Sequence, residues 1–394
     1  MNCLLCHTDS SIEFLNLGRQ PLANKYPKKE QFAAEDFFPL AALFCTNCKN
    51  VQLGTQVPRD RMFEDYYYLS SVNQGLVRHF EQLAHTLSRG KFVVDIGSND
   101  GILLKPLKAL GVRCLGVDPS VNVSKIANDA GLPTLVGFFD SAMVKKIHES
   151  HGVPDTVVAS SVFTHLDDPH QCASDVKKLM KDDGEFIIEV EYIGNILRLI
   201  QFERFYLDRI FYYSLTSLSR LFEMHDMYIA DVFDIEPHGG SLRVVVRNRG
   251  HGSSSERVEC LLKEEETSLN IEKLKEFREL VEKNVSALRE ILEKYKQEGL
   301  RVAGYGAPAR VSTICNFAHI GPSLIEFLVD DSPLKQNKHS PGTHIPIVPK
   351  SHLDAQKPKV DVLVVFAYEY FEDIKKKTGG AYRYLIPIPP REIV

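Results

Sequence analysis

Four of the eight cysteines stand as two pairs, Cys3-Leu-Leu-Cys6 and Cys45-Thr-Asn-Cys48. A two-residue spacing lets a tight backbone knuckle present both sulfurs on one side. Two such knuckles supply four thiolates to one tetrahedral ion. Zinc held by four thiolates has no open coordination position, so Cys3, Cys6, Cys45 and Cys48 are expected to hold a structural ion. A module of about 60 residues with few aliphatic side chains needs such a staple. Two other chemistries use the same letters. Cys3-Leu-Leu-Cys6-His7 also matches the C-x-x-C-H signature of covalent haem attachment, but that chemistry has no use for the second pair. A redox C-x-x-C belongs beside a βαβ pattern, which residues 1–70 lack. The other cysteines, Cys114, Cys172, Cys260 and Cys315, stand alone and read as buried small hydrophobes.

A second constellation lies at Phe92-Val-Val-Asp-Ile-Gly-Ser-Asn-Asp-Gly101. It reads as a strand that ends in a glycine-bearing turn and enters a helix. Gly97 and Gly101 permit close backbone approach to a ligand, and Asp95 can meet a positive group at the strand end. About 20 residues further on, Cys114-Leu-Gly-Val-Asp118 ends a second strand in a carboxylate that can accept both ribose hydroxyls of a nucleoside. A dinucleotide site would want G-x-G-x-x-G, with a helix N-terminus aimed at a pyrophosphate. The glycines here do not fall in that register. The loop resembles instead motif I of the class I S-adenosylmethionine methyltransferases. The resemblance implies cofactor contacts from Asp95, Gly97, Asn99, Gly101, Asp118 and Phe138.

The elements that position these residues follow from periodicity. From about residue 75 to 245, helical patterns alternate with short apolar runs at residues 92–95, 114–117, 156–159 and 185–188. Buried strands between helices predict a parallel α/β sheet. Residues 241–246 add a strand, and residues 248–256 read as a linker. Leu269, Leu274, Phe277, Val281, Val285, Leu288 and Leu292 then recur on one helical face and predict a long helix packed on the protein's own core. Runs at 301–304, 324–329 and 360–366 return to α/β. The expected architecture is α/β throughout: a small zinc-binding module (1–70), a Rossmann-like class I methyltransferase domain (71–250) and a second Rossmann-like domain (251–394).

The order of motifs carries a wider resemblance. A double C-x-x-C module, the loop at 95–101, and Tyr305-Gly-Ala-Pro308 in a C-terminal α/β region follow one another. Leu17-Gly-Arg-Gln-Pro-Leu-Ala-Asn24, Tyr212-Tyr-Ser-Leu215, His238-Gly-Gly-Ser-Leu-Arg243, Val329-Asp-Asp-Ser-Pro333 and Pro341-Gly-Thr-His-Ile-Pro346 accompany them. Together they resemble the sugar C-methyltransferases that act on nucleotide-linked 4-keto-deoxysugars. In that family a base removes the acidic hydrogen beside the ketone, and the resulting carbanion attacks the cofactor's methyl. The resemblance implies catalytic roles around His165, Tyr206, Asp208, Arg209 and His238, and substrate contacts from Tyr67, Tyr68, Tyr305 and Lys335. The family's Tyr-His-Glu-His stretch is here Tyr206-Leu-Asp-Arg209. Arginine stays protonated and cannot serve as the base. Proton removal therefore falls to His165, His238, Tyr206 or Asp208, with His165 favoured, or is not needed at all. Arg209 is expected to stabilise an enolate or clamp an anionic group.

Composition bounds the rest. The chain has 394 residues, is 44% hydrophobic and 25% charged, and carries a net charge of −5. That balance gives no basic field for nucleic acid or anionic membrane. No apolar run reaches the ~20 residues of a membrane span. The first residues carry cysteines where a signal peptide would carry basic and apolar stretches. A cytoplasmic monomer with a nucleotide-sugar substrate is expected. O- or N-methylation of a related sugar, recognition of an acidic group, or a non-catalytic protein that keeps the cofactor fold are the alternatives.

Overall fold

The computed structural model describes residues 2–58, 69–88 and 92–393. Tyr67 and Tyr68 lie outside that set. The strands, in chain order, are β1 (Ser11–Pro21), β2 (Phe37–Cys45), β3 (Val51–Leu53), β4 (Phe92–Ile96), β5 (Arg113–Asp118), β6 (Thr134–Val136), β7 (Thr156–Ser160), β8 (Glu185–Glu191), β9 (Phe211–Tyr212), β10 (Met227–Ile235) and β11 (Ser241–Asn248). They continue as β12 (Val302–Tyr305), β13 (Leu328–Val329), β14 (Ile347–Val348), β15 (Val362–Val365), β16 (Arg383–Pro387) and β17 (Pro390–Ile393).

Among the described residues these strands form three sheets, in the orders β1-β2-β3-β9, β10-β11-β8-β7-β4-β5-β6 and β14-β13-β12-β15-β16-β17. In the second, β6, β5, β4, β7 and β8 run parallel, and the β11–β10 hairpin closes the edge in antiparallel pairing. The chain leaves β4 toward β5 on one side and returns to β7 on the other. Ligands gather at such a reversal, at the carboxyl ends of the strands. The third sheet repeats the logic around β12, with β13 and β15 parallel on its two sides. The first sheet is antiparallel, and its last strand, β9, comes from far along the chain.

The long helix spans Ile271–Gln297 and starts where the Asn270 side chain accepts a hydrogen bond from the Lys273 amide at 3.0 Å. Leu274, Phe277, Val281, Val285, Leu288 and Leu292 are buried, as their spacing predicts. Burial of each stabilises the fold by about 1.5–3 kcal/mol. The helix packs on β12 and β15 of the third sheet and also on β1, where the rings of Phe277 and Phe14 lie 6.3 Å apart. Cys114, Cys172 and Cys315 are buried as expected, but Cys260 is exposed. It sits two residues beyond buried Val258 in the helix Glu256–Ser268, about 200° round the helix axis and hence on the solvent face. The strand expected at 324–329 shrinks to Leu328–Val329, because Leu324 and Ile325 close a turn on Gly321. No helix among the described residues is long and apolar enough to cross a membrane.

Candidate functional site

The two cysteine pairs fold as matching knuckles. The His7 amide bonds to the Cys3 carbonyl and the Lys49 amide to the Cys45 carbonyl, each at 2.9 Å. Both His7 and Lys49 turn the chain with positive φ, 59° and 61°. The Sγ atoms of Cys3 and Cys48 lie 3.6 Å apart and those of Cys6 and Cys45 3.5 Å, and all four fall within 4.8 Å of one another. Tetrahedral Zn–S bonds of about 2.3 Å place sulfurs about 3.8 Å apart, so the cluster fits one zinc ion.

A cavity of about 1460 Å³ opens at the carboxyl ends of β4, β5 and β7 and extends to the third sheet. Asp95, Gly97, Asn99, Asp118 and Phe138 line its first wall. Asp118 is buried, and its two carboxylate oxygens are oriented by the amides of Asn99 (2.9 Å) and Ser120 (2.8 Å). Each oxygen keeps a lone pair beyond those bonds. Asn99 takes a φ of 50°, which asparagine tolerates better than most residues, and its side chain accepts the Ser70 amide at 3.1 Å. Asp95 is buried, and burial together with Asp118 and Glu189 raises its pKa well above the ordinary value. Buried carboxylates gathered in one wall suit a cationic ligand such as a sulfonium with its ammonium, and would oppose a pyrophosphate.

Both glycines also have a role in packing. A Cβ on Gly97 would meet Val162 Cγ2 at 2.2 Å, and one on Gly101 would meet Leu132 Cδ1 at 2.5 Å. With φ values of +72° and +83°, both are required by turn geometry and by protein packing. Gly101 does not line the cavity.

The second wall holds His165, Tyr206, Asp208 and Arg209. His165 ends the turn Phe163–His165 after β7, and its Nδ1 hydrogen-bonds to the Asp208 carbonyl. A carbonyl only accepts, so Nδ1 carries the hydrogen and Nε2 is the basic nitrogen of the neutral ring. The Asp208 carboxylate accepts from Asn24 Nδ2 at 2.6 Å; burial raises its pKa against the opposing pull of Asn24 and Arg209. Arg209, expected to stabilise an enolate or clamp an anionic group, already has a counter-ion within the protein. It is 5% exposed and forms an ion pair with Glu191 of β8, because a buried guanidinium must be paired. Its Nε and Nη1 have no hydrogen-bond partner among the described residues, and the group lies 4.9 Å over the Tyr206 ring. Burial pushes the Tyr206 phenol up to about 12, so at neutral pH it is a proton donor and not a base. His238 belongs to the turn Pro237–Gly239, whose Pro237 and Gly239 line the cavity.

The third wall was not foreseen. Glu369 binds Arg204 and, at 2.5 Å, Arg310. The two arginines hold its carboxyl down at about 2 against the effect of burial. Arg204 Nε and Arg310 Nη1 are buried without a partner among the described residues. Lys335 lines the cavity as expected, with its Nζ 3.0 Å from the Ala307 carbonyl. Tyr305 does not: its ring is buried in the third sheet's core and its hydroxyl faces Asp331 at 3.4 Å.

Glu189 is a further residue that sequence reasoning missed. It faces the same side of the sheet as Asp95 and Ser160, and it accepts from His79 Nε2 (2.9 Å), Arg243 Nε (2.8 Å) and Ser160 Oγ (2.6 Å). Burial alone would raise its pKa. His79, Arg243 and Ser160 hold it down at about 2.

Comparison with known proteins agrees with this layout. Residues 3–63 match a zinc binding domain, residues 60–230 a methyltransferase domain and residues 236–389 the C-methyltransferase C-terminal domain. The C-methyltransferase NovU of Streptomyces niveus is 30% identical over 404 residues, covering 100% of this chain and 96% of its own. A ubiquinone biosynthesis O-methyltransferase of Rhodopseudomonas palustris strain TIE-1 is 30% identical over 123 residues, 30% of this chain and 48% of its own. The solved magnesium protoporphyrin IX methyltransferase of Synechocystis PCC 6803, with bound SAH, is 17% identical with a TM-score of 0.35, over 44% of this chain and 84% of that one. The end-to-end match at 30% identity, with three family segments in the same order, means that the chain belongs to the C-methyltransferases, S-adenosylmethionine-dependent enzymes with a zinc-binding module at the N-terminal end.

Proposed function

We propose that the acceptor is a nucleotide-linked deoxysugar and that the methyl is added to carbon beside a 4-keto group. The observation that carries this reading is the cavity itself. It exceeds the ~300–1,000 Å³ of a single small-molecule site, and its lining joins the carboxylate wall to Arg204, Arg310 and Lys335. A nucleotide-linked sugar has the matching form: a reactive sugar at one end and a diphosphate along its length. The full-length relative NovU adds support for carbon as the acceptor.

S-adenosylmethionine supplies, when bound, a methyl group on a cationic sulfur. Asp118 holds its ribose hydroxyls and Asp95 faces its positive charge. His165 Nε2 takes the proton from the carbon next to the ketone. The Tyr206 hydroxyl bonds to the developing enolate oxygen, the position where a fixed donor lowers a barrier most, and the Arg209 guanidinium lies over its ring. Glu191 beside Arg209 keeps that pair neutral overall, so Arg209 brings little net charge to the wall. Arg204 and Arg310, both braced by Glu369, hold diphosphate oxygens, and Lys335 lies near them on the same wall.

The test is solvent deuterium exchange at the carbon beside the ketone, using a nucleotide-linked 4-keto-6-deoxyhexose. Wild type should exchange that hydrogen, and His165→Asn should lose exchange while binding the cofactor normally. A His165→Asn enzyme that exchanges at the wild-type rate removes His165 as the base. Wild type that neither exchanges nor methylates any keto sugar removes the substrate assignment.

A further inference from the structure

The cysteine module's sheet takes its last strand from the segment that carries the second wall of the cavity. β3 begins three residues after Cys48 and pairs with β9, Val51 opposite Tyr212 and Gln52 opposite Phe211. The pairing continues as the Leu53 amide bonds to the Ile210 carbonyl at 2.9 Å. Residues 206–209 therefore hang directly from the edge of this sheet.

Both knuckles reach that edge. Gln52, 2% exposed, accepts the Leu4 amide of the first knuckle at 2.8 Å and Asn50 Nδ2 at 3.3 Å. From the second knuckle, the Lys49 carbonyl accepts Ser214 Oγ at 3.1 Å, just beyond β9. The fully buried Tyr212 carries the connection into the loop: its hydroxyl accepts the Tyr206 amide at 3.1 Å and donates to the Arg204 carbonyl at 3.0 Å. From the same N-terminal module, Asn24 fixes the Asp208 carboxylate. A free chain of nine residues from Arg204 through Tyr212 would sample many conformations, at an ordering cost of about 1–2 kcal/mol per residue. Here part of that order comes from a unit that has a metal site at its root, alongside the bonds of the Ile210 amide to the Thr164 carbonyl (3.0 Å) and of His165 to the Asp208 carbonyl.

We propose that the four-cysteine module is a positioning element for the reaction loop, so that zinc occupancy sets the turnover number as well as the stability of the N-terminal module. Gln52 and Tyr212 are its positioning residues. Their effect on turnover rests on the reading that residues 206–209 face the acceptor; the mechanical coupling does not.

Hydrogen–deuterium exchange on the full chain tests the coupling directly. With zinc removed by a chelator, and S-adenosylhomocysteine present, amides of residues 45–53 and 206–213 should gain exchange together, while β4 and β5 stay protected. Protection retained in 206–213 as 45–53 opens overturns the proposal. Two variants test the same path without removing the metal. Tyr212→Phe keeps the ring and loses the hydroxyl; kcat should fall about tenfold or more, since small displacements of reacting groups cost that much, with zinc content and cofactor affinity unchanged. Gln52→Ala, which removes the acceptor of the Leu4 amide and Asn50 Nδ2, should fall likewise. Wild-type kcat in Tyr212→Phe and Gln52→Ala overturns the positioning role. Failure of wild type to use a keto sugar removes the acceptor assignment but leaves the exchange result to decide the coupling.

Discussion

Gly97→Ala places a methyl where the protein has none to spare. Two costs add. At φ +72° an L-residue is strained, by about 1–2 kcal/mol. The new Cβ would lie 2.2 Å from Val162 Cγ2 and 3.3 Å from Val162 Cβ. Val162 is β-branched and stiff, so it must move with its loop, at an overpacking cost of about 1–3 kcal/mol. The sum is about 2–5 kcal/mol. Val162 stands three residues before His165, so relief of the clash should displace the second wall as well as the cofactor loop. The assay is a double-mutant cycle on thermal stability and calorimetric S-adenosylmethionine affinity. Val162→Ala in the Gly97→Ala background should restore the packing part, about 1–3 kcal/mol, and leave the backbone part. Gly97→Ala with wild-type melting and affinity would refute the packing argument. No recovery on adding Val162→Ala would show that the glycine is needed against the ligand and not against Val162.

Asp118→Ala should weaken cofactor binding by about 1–3 kcal/mol, the cost of leaving buried hydroxyls and amides unmet; equal calorimetric affinity would take Asp118 out of the site. Tyr305→Phe should leave the acceptor KM within about twofold, because its hydroxyl faces Asp331 outside the cavity; a large KM rise would return Tyr305 to the substrate site. Glu189 has its carboxyl lowered from 4.5 to about 2. A depressed acid adds stability that is fully present above its unfolded value and lost as pH falls through the folded one. The melting-temperature gap between wild type and Glu189→Gln should therefore be constant above about pH 5 and close between about pH 4.5 and 2. A gap independent of pH would remove Glu189 as a charged partner of His79 and Arg243.

The sequence was readable where a pattern is local. The knuckles and the face of the helix Ile271–Gln297 each lie within a few turns of chain, where spacing specifies them, and the cofactor loop is short enough to be known by its resemblance to a methyltransferase motif. β4, β5, β7 and β8 were visible as apolar runs because they are buried on both faces. β9 was not, since two residues of strand have no periodicity and owe their pairing to β3, some 160 positions earlier. The third wall is hidden for the same reason: Arg204, Arg310 and Glu369 meet only when the second and third sheets pack. One signal was overlooked. Glu189 and Glu191 interrupt an otherwise buried strand, and a carboxylate inside a buried run must have a cationic partner. Following it would have led to Arg243 and Arg209. The Glu191 partner of Arg209 could not be read from its neighbours in sequence, because a residue's charge is local but its counter-ion is tertiary.

In the proposed reaction a methyl passes from S-adenosylmethionine to a sugar carbon beside a ketone. The direct measurement uses S-adenosylmethionine labelled with ¹³C in its methyl group and a nucleotide-linked 4-keto-6-deoxyhexose, with the product read by proton–carbon correlation NMR. The account predicts a labelled methyl coupled to the ring carbon adjacent to the ketone, with the hydrogen of that carbon lost. A labelled methyl on oxygen or nitrogen, or no labelled sugar across a panel of nucleotide-linked keto sugars, would contradict it.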